Sequence, residues 1–422
     1  MKIAVVGAGV SGLVAASLLM DDHDVHIFEA NDYVGGHANT VNVSLSGEVF
    51  PVDTGFMVFN ERTYPHFCTL LRRLGVAWHD SDMSFGVCCE RSGLEYQGSS
   101  LSGLFAQRRN LFRPRFWQML AGILRFNRYA RHLVARRNSP ECPASDHSET
   151  LGEFLTNHRF GQAMIDWYLT PMGASIWSVP PGEFLKFPAR FVLAFFENHG
   201  LLSVRGHYQW KTIAGGSIRY IEQLTHGWRE RIRTSCPVKS VRRTGSGVLV
   251  GFVGGGEQFD AVVMAGHADE MLSVLSDADA TEREILGAFP YQRNDTVLHT
   301  DASVLPRSRR AWASWNYRIP LQANRPVLLT YNLNRLQGHR TPQTLCITLN
   351  GSERLDPKAI LARWNYAHPV YSPAALAAQR RFGEINGRNR TYFCGAYWGN
   401  GFHEDGVNSA LAVGRLFGRQ HL

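Results

Sequence analysis

No stretch of eighteen or more apolar residues occurs in this chain, so no transmembrane helix is expected. A secretory leader is not expected either. Its charged region would be Lys2 alone, and the apolar run that follows is broken by glycines and starts a fold. The seven cysteines (68, 88, 89, 142, 236, 346, 394) form no CxxC and no Cys/His ligand spacing. That excludes a disulfide framework and a zinc site, and it implies reduced, cytoplasmic thiols and no metal. Ser-His-Asp sets, repeats and low-complexity linkers are missing, so hydrolysis is set aside. No RNP, zinc-finger or helix-turn-helix signature is present, which argues against a nucleic-acid partner despite a net charge of +8 carried mostly by arginine. One absence is local: residues 96–140 contain no acid at all.

What is present begins with the length. At 422 residues, two domains are the default expectation, and 44% hydrophobic with 19% charged residues is ordinary globular composition. KIAVV (2–6) reads as a buried parallel strand, and Gly7, Gly9 and Gly12 follow at GxGxxG spacing. Gly7 serves the tight turn, Gly9 the close approach of a pyrophosphate, and Gly12 the packing of a helix over Ser11 to Met20. The amides at that helix's start would face the phosphates. A second strand, His23 to Phe28, ends at Glu29, a carboxylate about 20 residues past the glycines that suits a ribose hydroxyl and repels a 2′-phosphate. The glycines alone leave NAD and FAD open.

Gly35 and Gly36 follow the acid, with His37 behind them. This resembles flavoproteins of the amine-oxidase and phytoene-desaturase type, in which a GG pair and a following basic residue pass under the pyrophosphate. The resemblance implies non-covalent FAD. It assigns a second cofactor segment to YFCGAYWGNGFHEDG, where a strand (Thr391–Cys394) delivers Gly395 and a helix begins near Gly406, N-capped by Asp405. It assigns a third to CPVKSVRRTGSGVLVGFVGGGEQFDAVVMAGH, where Val238 presents its backbone to adenine. By the same resemblance Ala8, Val10, Ser11, Ala30, Thr54, Gly55, Phe56, Glu404, Asp405 and Val407 join the cofactor contacts. His403 and Glu404 are the candidate catalytic bases beside a ring that accepts hydride at N5.

VDTGFMVFNERTYPHFCTLLRRLGV, LFAQRRNLFRPRFWQML and NHGLL extend the likeness. They resemble the amino-terminal oxidase-like domain of plant cyclopropane-fatty-acid synthases and the related stand-alone bacterial flavoproteins, essentially end to end. No second GxGxxG follows for S-adenosylmethionine. The expected fold is α/β: a Rossmann-like FAD-binding domain from 1–80, 211–284 and 391–422, with an α+β substrate domain of helices and antiparallel sheet from 81–210 and 285–390. Residues 81–210 read as mainly helical, and DTVLHTD, AWASWNYRI, PVLLTYNL and TLCITLN as antiparallel strands. RRNSPECPASDHSE (136–149) reads as a mobile surface loop.

The expected activity is FAD-dependent oxidation or desaturation of a fatty acyl or membrane-lipid chain. Two alternatives stand beside it. One is an amine oxidase with WGNGF (398–402) in an aromatic cage. The other is a flavin-bound accessory protein of a cyclopropane-fatty-acid synthase. Trp177, Phe191 and Phe195 are expected in an acyl tunnel, with His199 and Trp210 near a polar head. Phe112, Phe116, Leu120, Ile123, Ala130 and Val134 recur at helical spacing among nine arginines. This makes 108–137 a possible basic contact with the anionic inner face of a membrane.

Overall fold

The computed structural model describes residues 1–137, 149–204, 206–322 and 326–422; most of the loop expected at 136–149 lies outside them. KIAVV forms the central strand, Lys2–Val6, of a five-stranded parallel sheet. Asp24–Phe28 and Ala261–Met264 flank it, and Ile232–Arg233 and Thr391–Phe393 form the edges. The continuous apolar run is explained by burial on both faces: Ile3, Ala4 and Val5 are wholly inaccessible. Ile3 and Val5 pack against the helices Val10–Leu19 and His403–Leu416. Ala4 and Val6 pack against a three-stranded antiparallel sheet, Val238–Arg243, Val248–Phe252 and Gly255–Phe259.

The two helices meet at their starts because Gly406 has no side chain. A Cβ there would lie 2.7 Å from Val10 Cγ1 and 2.9 Å from Ser11 Oγ. Two helix N-termini, each an excess of unpaired N–H groups, therefore converge. The second of these helices starts at His403, three residues before the sequence expectation. Asp405 is consequently not its N-cap. It stands inside the first turn and accepts the Phe402 N–H at 2.9 Å.

The second layer is a seven-stranded sheet in the order Ile360–Pro369, Tyr291–His299, Cys346–Leu349, Leu329–Asn332, Trp315–Ile319, Phe85–Cys89 and Leu94–Gln97. All four strand segments expected in 285–390 lie in it. The described part of 81–210 is mainly helical, as expected, but the last two strands of this sheet also come from it. Phe85–Cys89 pairs in parallel with Trp315–Ile319, so the first insertion completes the sheet of the second. The helices Pro114–Arg137, Leu151–Asn157, Thr170–Trp177 and Ala189–Asn198 cover this end. A π-helical turn, Ile165–Leu169, precedes Thr170–Trp177.

The expected borders at 80/81 and 210/211 fall in one ladder, Trp78–Ser81 against Trp210–Ile213. At 284/285 the helix Ala280–Gly287 runs across the border, and the second sheet starts only at Tyr291.

Candidate functional site

The glycine turn is closed by its own backbone. Gly7, at φ +104°, donates its N–H to Phe28 O at 2.8 Å, and Gly35 donates to Ala8 O at 2.9 Å. Glu29 accepts from Ala8 N, Asn31 N and Asn31 Nδ2, each at 2.8 Å, so the acid at the end of the second strand also holds the loop. A Cβ on Gly12 would run into the Gly7 carbonyl oxygen, whereas a Cβ on Gly9 would meet nothing within 4 Å. Gly12 is therefore there for packing, and Gly9 faces open space. Gly36 (φ +60°) passes so close to Gly9 that a Cβ on it would lie 3.1 Å from Gly9 Cα. Gly55 lies against the His37 carbonyl, which accepts Phe56 N–H at 2.7 Å.

That open space is one end of a cavity of about 1570 Å³. Gly7, Gly9, Val10, Ser11, Glu29, Ala30, Gly35, Gly36, His37, Gly55, Phe56, Val238, Gly395 and His403 border it. Ala8, Gly12, Thr54, Glu404, Asp405 and Val407 do not; they stand one layer back. Thr54 Oγ1 bonds Asn39 O at 3.0 Å and Tyr366 Oη at 2.7 Å. Both carboxylate oxygens of Glu404 are engaged at the start of the helix Pro65–Arg73, accepting His66 N (3.0 Å) and Phe67 N (2.8 Å), with His66 Nδ1 also at 3.0 Å. Of the two expected bases, only His403 reaches the cavity. Its ring lies flat on Phe56, centroids 3.6 Å apart, and its Nε2 is 3.0 Å from Tyr220 Oη. Burial pushes its imidazole down to about 3, so it is neutral at physiological pH.

His37 is half-buried, and its buried Nε2 has no partner among the described residues. His267 and His368 stand 5.8 and 5.5 Å away, ring to ring. Burial first, and then these neighbours and His403, hold its imidazole well below the ordinary histidine range. An orphaned ring nitrogen, an open Gly9 and two converging helix N-termini form a set that suits an anion. The residues present thus fit FAD: Gly9, Gly36 and His37 would hold the pyrophosphate, Glu29 a ribose and Val238 the adenine.

The cavity then turns into an apolar arm. Trp177, Phe195, His199 and Trp210 line it. Phe191 does not. It stands behind Trp177, their rings 5.6 Å apart, and stacks on Tyr371 at 4.9 Å. His199 is pinned to Phe195 by its Nδ1 to the carbonyl (2.9 Å) and by ring stacking at 3.8 Å. Burial pushes its imidazole down to about 4, so the arm holds it uncharged.

Sequence reasoning did not place Met119, Leu120, Ile123, Tyr168, Met172 and Ile176 along one wall, nor Trp315, Tyr331 and Trp364 from the sheet along another. The helical spacing of Leu120 and Ile123 was visible, but not what the stripe faces. Of WGNGF, Gly401 and Phe402 border the cavity, while Trp398 packs away from it on Phe289 and Phe382. The acids on the lining, Glu29, Asp269 and Glu270, all belong to the cofactor segments. Among the described residues no group of His, Cys, Asp and Glu could hold a metal ion.

A parallel sheet with a glycine turn, two helix N-termini and an adjoining apolar arm defines a dinucleotide-binding oxidoreductase. The sequence pattern of the flavin containing amine oxidoreductases matches residues 10–291, and the chain belongs to that family. It is an FAD-dependent oxidoreductase. A tryptophan 2-monooxygenase from Allorhizobium ampelinum is 58% identical over 41 residues, a match that spans 9% of this chain and only 6% of that protein's length.

Among solved structures, the fold is shared with a CLA-producing fatty acid isomerase from P. acnes (TM-score 0.68, 18% identity, 98% of each chain covered). It is also shared with cyclohexylamine oxidase from Brevibacterium oxydans IH-35A (0.68, 16%, 99% of each) and with putrescine oxidase bound to putrescine (0.68, 16%, 98% of each).

Proposed function

We propose that this flavoprotein oxidises or desaturates a fatty acyl or membrane-lipid chain. The observation that carries the reading is the continuity of the cavity. It runs from the cofactor cradle into an arm walled by Met119, Leu120, Ile123, Met172, Ile176, Trp177 and Phe195. Its volume of about 1570 Å³ exceeds the roughly 300–1,000 Å³ of a single drug-sized site, leaving room for a chain beside the cofactor. When bound, FAD supplies a two-electron acceptor.

The chain's own residues bind and orient. Trp177 Nε1 is tied to Asn400 O at 3.2 Å, which fixes its ring as a wall. Phe195 and Phe402 stack at 5.3 Å and exclude water from the bend. His403 and His199, both neutral, offer hydrogen-bonding nitrogens without placing charge in an apolar space.

The amine-oxidase reading is favoured by the family and by two of the structural neighbours, whose names speak of amines. Against it, no acidic side chain of the described residues lines the arm to meet an ammonium group. Anaerobic titration of the yellow protein separates the readings. Fatty acyl or phospholipid substrates should bleach the bound flavin and amines should not. Bleaching by amines alone would overturn the proposal, and bleaching by neither class would favour the accessory role beside a cyclopropane-fatty-acid synthase. Trp177→Ala should raise KM for long acyl chains more than for short ones.

A further inference from the structure

We propose that the mouth of the apolar arm is a docking face for an anionic phospholipid surface. This deepens the acyl-chain reading, on which its purpose rests, although docking itself needs no turnover. Leu101, Leu124 and Val204 border the cavity, yet remain 76%, 57% and 62% exposed, so the arm opens to the outside between them. Leu111, Phe112 and Trp117 continue the same apolar rim at 44%, 86% and 49% exposure. Trp117 is fixed in it, donating Nε1–H to Leu111 O at 2.9 Å with its ring 5.8 Å from Phe105. Six of the twelve exposed large apolar side chains among the described residues thus gather at one opening. Phe112 is the most exposed of them.

Residues 96–140, which supply five of these six side chains, contain no acid. Arg108, Arg109, Arg113, Arg115, Arg125, Arg128 and Arg131 make no ion pair among the described residues, although arginines elsewhere do, as Arg243 with Glu282 and Arg354 with Glu90. Five of them are committed to the fold. Arg109 donates to Gly93 O, Arg113 to Ser92 O, Arg125 to the His158 and Arg159 carbonyls and Arg131 to Asn127 O, and Arg115 lies 4.9 Å over the Trp167 ring. The side chains of Arg108 and Arg128 make no hydrogen bond among the described residues, and both residues are exposed.

Exposed Phe, Trp and Leu beside unpaired arginines match the composition of elements that lie in the headgroup layer of an anionic leaflet. Here the apolar rim surrounds an apolar opening. An acyl chain would pass from the bilayer into the arm without crossing water.

The test is vesicle flotation of the FAD-loaded protein. Vesicles of phosphatidylcholine with equal phosphatidylglycerol should carry it up, pure phosphatidylcholine should not, and 1 M salt should release it. Arg108→Gln with Arg128→Gln should weaken binding to the anionic vesicles roughly thirtyfold, at about fivefold per charge. Phe112→Ser should weaken it independently, and the flavin spectrum of both variants should match the parent, which shows that they fold. Equal flotation of parent and variants would overturn the proposal. So would a dimer in solution that Phe112→Ser dissolves, since the rim would then be an interface between two copies. Flotation is read without substrate, so a failed acyl titration leaves this result standing, and a failed flotation leaves that titration standing.

Discussion

Glu29 Oε2 accepts the backbone N–H of Ala8 at 2.8 Å, joining the end of the second strand to the glycine turn across 21 residues. One carboxylate therefore shapes the loop that FAD approaches and borders the space FAD fills. Glu29→Ala removes the acceptor for Ala8 and for both Asn31 donors. FAD affinity, followed by flavin fluorescence, should fall about 10- to 100-fold, the scale of a charge-assisted hydrogen bond. An unchanged affinity would remove Glu29 from the site.

Gly9 and Gly12 should fail differently. Gly9→Val places its side chain in open space, so the protein should fold with a thermal midpoint close to the apoprotein's but bind no FAD. Gly12→Val drives a side chain into the Gly7 carbonyl and should depress folding itself. Retained yellow colour in Gly9→Val would defeat the placement of the pyrophosphate.

Glu404 separates a cap from a base. Its carboxylate closes the start of Pro65–Arg73, so Glu404→Gln should cost about 1–3 kcal/mol of stability. It should leave the rate of flavin reduction within about twofold, whereas general-base catalysis is worth about 10²–10⁴-fold. A loss of that size in stopped-flow reduction would restore Glu404 as the base.

Acid should destabilise the protein partly through histidines that are buried neutral. His299, the last residue of the strand Tyr291–His299, is pushed down to about 4 by burial, with Nε2 2.8 Å from Thr348 Oγ1. The unfolded imidazole titrates near 6.5. Between these values the unfolded chain binds a proton that the folded chain refuses. Its contribution is therefore full above about pH 6.5 and is lost as pH falls toward 4. Asp53 and Asp405, pushed up to about 6 and about 7 by burial, act in the opposite sense over part of this range. The test is accordingly a difference. His299→Gln should flatten the fall of denaturation free energy between pH 6.5 and 4 by up to about 1.4 kcal/mol per pH unit. Parallel curves would refute it.

The flavin should come off on acid precipitation. Cys394, in the C-terminal cofactor segment, is wholly buried and pushed up to about 12, so it offers no thiolate to form a tether. Yellow pellets would contradict this.

The cradle was legible because its requirements are local. A φ of +104° at Gly7 or +60° at Gly36 is a property of single residues, and so is the buried run of KIAVV. The role of Glu404 was not legible, because its partners lie 337 and 338 residues away, and nothing near HEDG announces the helix it caps. The strands of the first insertion were missed for the same reason. FGVCC pairs with WNYRI, and only that partner gives it an edge to join.

By itself, then, the sequence determined the parallel sheet, the phosphate turn and the three segments that build the cofactor site, since backbone sterics and burial periodicity act over a few residues. Only the tertiary structure decided what the apolar stripes face. Leu120 and Ile123 line the arm, Phe191 stands behind it and Phe112 points outward, because helical periodicity selects a face but packing against distant elements selects what that face meets.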